Sequence, residues 1–233
     1  MHGEGKVVSL LVEAFLKLPQ PRLGDDLDLW QAGVQEAARE FREVVRSLYS
    51  EGTLQRLLLS AEEPLSRRAA AFALGIVGQM ASNPALAQAL SDDGDDQVRR
   101  FSADSLWEIW FRGDAPEQAR ELRQALSLPD FSQQIAALDD VVREYPSFAE
   151  AYNQRAILNC RRGQHVAAVA DCEHVLRLNP HHFGAASGMG QCYLRMNRPH
   201  AALRSFSQAL QINPNLTHLN DTIQSLKEAL GEV

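Results

Sequence analysis

Apolar residues recur every three or four positions along nearly the whole chain, the spacing that lines one face of a helix. No run alternates apolar and polar residues as a half-buried strand would. Breakers fall at short intervals: Pro19 and Pro21, Gly52, Pro64, Pro84, Gly94, Gly113, Pro129, Pro146, Gly163, Pro180, Pro199 and Pro214. They leave room for helices of roughly 12–16 residues, the length of stacked helix pairs. An amphipathic helix is predicted over 5–18, where Glu13 and Lys17 interrupt the apolar run Val7–Leu18. That run is too short for a membrane span and lacks a small-x-small cleavage site. A longer amphipathic helix is predicted over 26–50, with Leu29, Val34, Ala37, Phe41, Val44, Val45 and Leu48 on its apolar side.

The second half repeats. Pro146, Pro180 and Pro214 stand 34 residues apart. At that period Tyr152 falls over Ala186, Ala156 over Gly190, Ala168 over Ala202 and Cys172 over Phe206. The small residues allow two helices to approach closely. Pro180 and Pro214 close each second helix, because proline cannot continue the hydrogen-bond ladder. Gly163 and Asn197 occupy the turns within each pair, where a left-handed conformation is often needed. Two whole units, 149–182 and 183–216, resemble the tetratricopeptide family. The block 115–148 fits only in its second helix, through Phe131, Leu138, Val141 and Pro146. Its first helix carries Pro116 and lacks the aromatic and the small residue. A capping helix is expected over 216–230, with Leu216, Leu219, Ile223, Leu226 and Leu230 on one stripe.

The first half has a period of 32. Ser66-Arg67-Arg68-Ala69 aligns with Val98-Arg99-Arg100-Phe101, each after a short apolar helix and an acidic turn. The pattern Val-Arg-Arg-x-x-Ala-x-x-Leu after an Asp-rich turn resembles the second helix of a HEAT repeat. Asp96 is expected to cap that helix, with Asp95 favouring its N-terminal dipole. The fold expected is all-α: a right-handed α-solenoid of stacked antiparallel helix pairs, HEAT-like then tetratricopeptide-like. Capping helices occupy 1–52, HEAT-like repeats 53–114, tetratricopeptide-like repeats 115–216 and the last cap 217–233. The two stacks are expected to meet end to end.

Composition narrows the function. The chain has 233 residues, 23 Lys plus Arg against 30 Asp plus Glu, and a net charge of −7. Neither half is basic, which argues against a general nucleic-acid binder. Most of the negative charge lies before residue 115. Only 7% of residues are aromatic, in keeping with helices that meet through small side chains. Three cysteines, Cys160, Cys172 and Cys192, are too few and too sparse for a disulfide framework. A reducing, cytoplasmic location is the default, with an organelle lumen or an exported compartment left open.

Candidate chemistry is thin. Asp92-Asp93-Gly94-Asp95-Asp96 lacks the spacing of a calcium loop and reads as a turn and cap. Cysteines and histidines gather after residue 160, yet no Cys-x-x-Cys-like doublet of the kind zinc sites favour occurs. Cys172 and Cys192 take core positions of the repeats, and Cys160 lies nearer the inner face. The Gly-rich run Gly184–Gly190 sits inside a helix rather than between a strand and a helix, so it is no phosphate loop. Gly190 is a packing residue, while Gly184 and Gly188 are unexplained by packing. Trp107, Trp110 and Phe111 read as core at the junction of the stacks. No catalytic residue, metal site or cofactor is expected.

The tetratricopeptide resemblance implies that the first helix of each pair lines a concave surface. At matching positions that face presents Asn153, Gln154, Ile157, Cys160 and Arg161. The next repeat adds Gly184, Ser187, Gly188, Gln191, Leu194 and Arg195. Asn153, Gln154, Ile157, Arg161, Ser187, Gln191, Leu194 and Arg195 are the expected partner-binding residues. Amides there suit a peptide backbone, and arginines suit carboxylates. The clamp that chaperone-binding members close on a C-terminal carboxylate is largely missing: Gln154, Gly184 and Gly188 stand at its positions, with Ala119 and Arg123 in the earlier block. The function expected is a non-catalytic scaffold or adaptor for a protein or peptide. Alternatives are an accessory subunit of a stable complex using the apolar ends of the stack, and an enzyme with a groove or junction site.

Overall fold

The structure, a computed structural model, describes residues 9–19 and 27–231, and only the backbone for 27–35. Expectations for Val7, and for the side chains of Leu29 and Val34, lie outside what the structure describes. Among these residues every regular element is a helix. They are α1 (Leu10–Leu16), α2 (Leu27–Leu48), α3 (Glu51–Ser60), α4 (Pro64–Val77), α5 (Asn83–Asp92), α6 (Asp96–Arg112), α7 (Pro116–Leu126), α8 (Phe131–Glu144), α9 (Ala149–Arg161), α10 (His165–Leu178), α11 (Phe183–Arg195), α12 (Pro199–Ile212) and α13 (His218–Leu230). Consecutive helices pack as pairs, and pairs stack: α3/α4 and α5/α6, then α7/α8, α9/α10 and α11/α12, with α13 on the last. The result is an all-α solenoid of stacked helix pairs.

Local chemistry places the helix ends. Prolines in the first turn open α4, α5, α7 and α12, where the lost N–H has no ladder partner to give up. Pro116 therefore starts α7, and the block 115–148 forms a helix pair. Pro180 and Pro214 follow the C-caps Asn179 and Asn213. Gly163 and Asn197 both take positive φ, 76° and 54°, in the turns α9–α10 and α11–α12. The cap of α6 differs from expectation by one residue. Asp95 is the N-cap, accepting from the N–H of Gln97 and Val98, and Asp96 begins the helix.

The core changes character along the chain. Around α1–α6 it is bulky: Phe15, Phe41, Phe72 and Phe101 meet edge to face at centroid distances of 5.3–5.8 Å, among buried leucines. From α9 to α12 it is built on small residues, with Ala156, Ala168, Ala185, Ala186, Ala202 and Ala209 buried. Gly190 has the reason its position suggests, since a Cβ there would stand 2.7 Å from the Phe206 ring.

The two stacks do not meet only end to end. α6 packs on α7 and α9, and α5 packs on α12, so the pair α5/α6 lies along the inter-repeat turns of the second stack. Helical periodicity reports which face of a helix is buried, not which distant turn it meets.

Candidate functional site

Two places in the molecule concentrate polar or reactive groups. The first is the seam where α5 and α6 meet the turn before α11. The Trp110 indole stacks on His182 at 4.1 Å, and Trp107 meets His182 and Phe183 edge-on. Trp110 Nε1 donates to Asn83 Oδ1 at 2.7 Å, and Asn83 Nδ2 donates to Asn179 Oδ1 at 3.0 Å. His182 is fully buried; its Nδ1 accepts the Ala185 N–H, which leaves the proton on Nε2 facing Glu150 Oε2 at 3.0 Å. The other Glu150 oxygen accepts from Asn153 at 3.1 Å and Gln154 at 2.6 Å. The seam is thus a buried network of polar groups under aromatic cover, in which Asn179 Nδ2 has no hydrogen-bond partner among the described residues. It explains Gly184: a side chain there would collide with the Trp107 ring.

The acidic turn before α6 is structural in the same sense. Arg67 forms a two-pronged pair with Asp93 at 2.7 and 3.0 Å, and Arg68 pairs in the same way with Asp95. The Arg68 guanidinium, aided by the backbone N–H groups of Val98 and Gln97, holds the Asp95 carboxyl down at about 2. Arg67 and Arg68 of one repeat therefore tie α4 to the acidic turn of the next.

The second place is open. A cavity of about 580 Å³ lies between α9, α10 and α11. Asn153, Ile157, Arg161, Gln191 and Arg195 line it, together with the three cysteines, His165, Gly184 and Gly188. Five of the eight expected partner-binding residues converge there. Gln154, Ser187 and Leu194 do not line it, although Leu194 is 40% exposed on the same helix as Gln191. Asn153 lines the wall but is 2% exposed, with its amide nitrogen engaged by Glu150. Arg161 and Arg195 are exposed, and neither has an ion-pair or hydrogen-bond partner among the described residues. No carboxylate lines the cavity. Its mouth is cationic and its wall carries exposed Ile157.

The floor brings together residues that sequence reading kept apart. One ligand-capable atom each from Cys160, His165 and Cys192 lies within 4.8 Å of the other two. Cys160 lies in the last turn of α9, His165 begins α10 and Cys192 comes from α11 of the next repeat, so no close doublet exists for a spacing rule to find. Burial pushes the Cys172 thiol up to about 12. Burial, then the contact with Cys160, raises the Cys192 thiol further. Such thiols stay protonated at neutral pH and are poor nucleophiles. Elsewhere, Arg155 of α9 bridges Asp139 of α8 at 2.8 Å and Asp171 of α10 at 2.6 Å, fastening successive helices outside the cavity.

Comparison with known proteins agrees with this architecture. Residues 147–215 match the tetratricopeptide-repeat family, and residues 35–139 match HEAT repeats. The HEAT match runs through α7 and into α8. A TPR repeat-containing protein of Rhizobium etli is 33% identical over 94 residues, 40% of this chain and 46% of that protein. The Superkiller complex protein 3 of Mus musculus is 29% identical over 120 residues, 51% of this chain and 8% of that protein. The chain thus spans less than half the length of these relatives. A thermophilic TPR protein of Thermus thermophilus aligns over 86% of this chain and 94% of its own, at a TM-score of 0.39 and 19% identity. No helix among the described residues is long and apolar enough to cross a membrane.

Proposed function

We propose that this chain, HEAT repeats followed by tetratricopeptide repeats, is a non-catalytic scaffold that holds an acidic segment of a partner protein in the cavity between α9, α10 and α11. The observation that carries the reading is the juxtaposition of two arginines, Arg161 and Arg195, that have no partner among the described residues, with a lining that contains no carboxylate of those residues. A free guanidinium presents a planar fork that fits a carboxylate with two parallel hydrogen bonds. Gln191 adds an amide that both donates and accepts, suited to a peptide backbone. Ile157 and Leu194, exposed at 36% and 40%, offer apolar contact beside it. The HEAT-like half acts as a brace: its α5/α6 pair grips the turns that set the spacing of the repeats.

Burial raises the Cys172 and Cys192 thiols that line the cavity, which makes them poor nucleophiles and favours binding over catalysis. The test is selection of peptides from a random display library against the purified chain, followed by anisotropy titrations. Selected peptides should be rich in Asp and Glu. Arg161→Glu/Arg195→Glu should weaken them at least tenfold, about 1.4 kcal/mol. Peptides without acidic bias, or equal binding by the double variant, would refute it.

A further inference from the structure

We infer that the floor of the cavity is a binding site for a thiophilic cation, zinc in the first instance, held by the thiolates of Cys160 and Cys192 and the imidazole of His165. The site stands apart from the proposal of a bound protein segment and needs no partner. Three observations support it. The ligand-capable atoms of the three residues lie within 4.8 Å of one another. Tetrahedral zinc with sulfur at about 2.3 Å and nitrogen at about 2.0 Å needs ligand atoms about 3.5–3.8 Å apart. Modest rotamer adjustment closes that gap. His165 Nδ1 is buried with no hydrogen-bond partner, an unmet polar atom of the kind folded proteins seldom leave. It marks an imidazole that the protein itself does not satisfy.

Donor type and charge select the ion. No carboxylate lines the cavity, so calcium and magnesium lack their oxygen ligands. Two thiolates and one neutral imidazole suit zinc or cuprous copper. On binding, each thiol loses its proton to solvent and each sulfur donates an electron pair to the metal. For zinc, two thiolate charges cancel the two charges of the ion. A neutral complex is not repelled by Arg161 and Arg195 across the cavity. Cys172 lines the same cavity but its sulfur does not join the cluster, so these residues supply three ligands and leave a fourth position to solvent or a bound group.

Cobalt(II) is the probe, added anaerobically to the 233-residue chain with its thiols reduced. One equivalent should bind and give thiolate-to-cobalt charge-transfer absorption with the intense visible bands of a tetrahedral site. Zinc should displace it, and a parallel titration with cuprous ion against a chromophoric chelator distinguishes the two metals. Cys160→Ser and His165→Ala, both at partly exposed positions, should each weaken cobalt binding at least tenfold while leaving the helical circular dichroism unchanged. Zinc should raise the melting temperature of the wild-type chain and leave that of Cys160→Ser unmoved. The proposal fails if the reduced chain shows no charge-transfer band. It fails equally if the band survives both substitutions, or if the thiols merely oxidise to a Cys160–Cys192 disulfide and the reduced form takes up no metal.

Discussion

The two halves of the molecule use the same element in opposite ways. Around α1–α6, helices are filled from inside by phenylalanine rings and leucines, and the acidic turns are consumed by arginine pairs. From α9 to α12, alanine and glycine bring helices close, and a cavity opens there beside two arginines that have no partner among the described residues. A bulky core with closed ion pairs fits the bracing role proposed for the first half. The small-residue half has an inner surface where Arg161, Gln191 and Arg195 are exposed, while Asn153 and Gln154 are held by Glu150. The seam at Trp110 and His182 joins the two.

The largest expected effect is at that seam. Trp110→Ala removes a ring that is 2% exposed and strands Asn83 Oδ1, and should cost about 3–5 kcal/mol in denaturant unfolding. If the halves are coupled as described, both should loosen together in hydrogen exchange. Loss confined to α3–α6 would break the comparison. Next comes the small-residue half. Gly190→Ala should destabilise by about 1–3 kcal/mol, because Phe206 must give way.

The acidic turn sharpens the contrast in charge. Asp95→Ala loses a cap and an ion pair and should cost about 1–2 kcal/mol at neutral pH. Its carboxyl is depressed in the folded state, to about 2 against an ordinary 3.8. The stability it supplies is therefore full above about pH 4 and lost as the pH falls toward 2. Acid unfolding of Asp95→Asn should show a shallower slope in that window than wild type. The smallest effect has the opposite sign. Gly52 lies inside α3 and a methyl there meets open space, so Gly52→Ala should raise stability by up to about 1 kcal/mol.

What could be read from the sequence follows the range of the force involved. The 34-residue period, the turn positions Gly163 and Asn197, and the packing role of Gly190 all rest on nearby backbone geometry, which spacing records. Pro116 is readable only in part: proline ends one helix or opens another, and the chain around it decides. Asp95 and Asp96 differ by one residue, less than a pattern resolves. Gly184 answers to Trp107 in the other stack, and the cluster of Cys160, His165 and Cys192 draws on two repeats. Neither has a local signature, because each exists only once the helices are stacked. Of the inner-face residues, Asn153, Ile157, Arg161, Gln191 and Arg195 do reach the cavity, as their helical register implies. Register does not reveal that Asn153 and Gln154 turn toward Glu150, a buried acid whose needs no periodicity announces.

The division into brace and groove is tested most directly by mapping amide chemical shifts as a selected acidic peptide is titrated into the chain. The perturbed amides should cluster at Ile157, Arg161, Gln191 and Arg195, with α3–α6 silent on their outer faces. Perturbations centred on α3–α5, with the cavity unchanged, would contradict it.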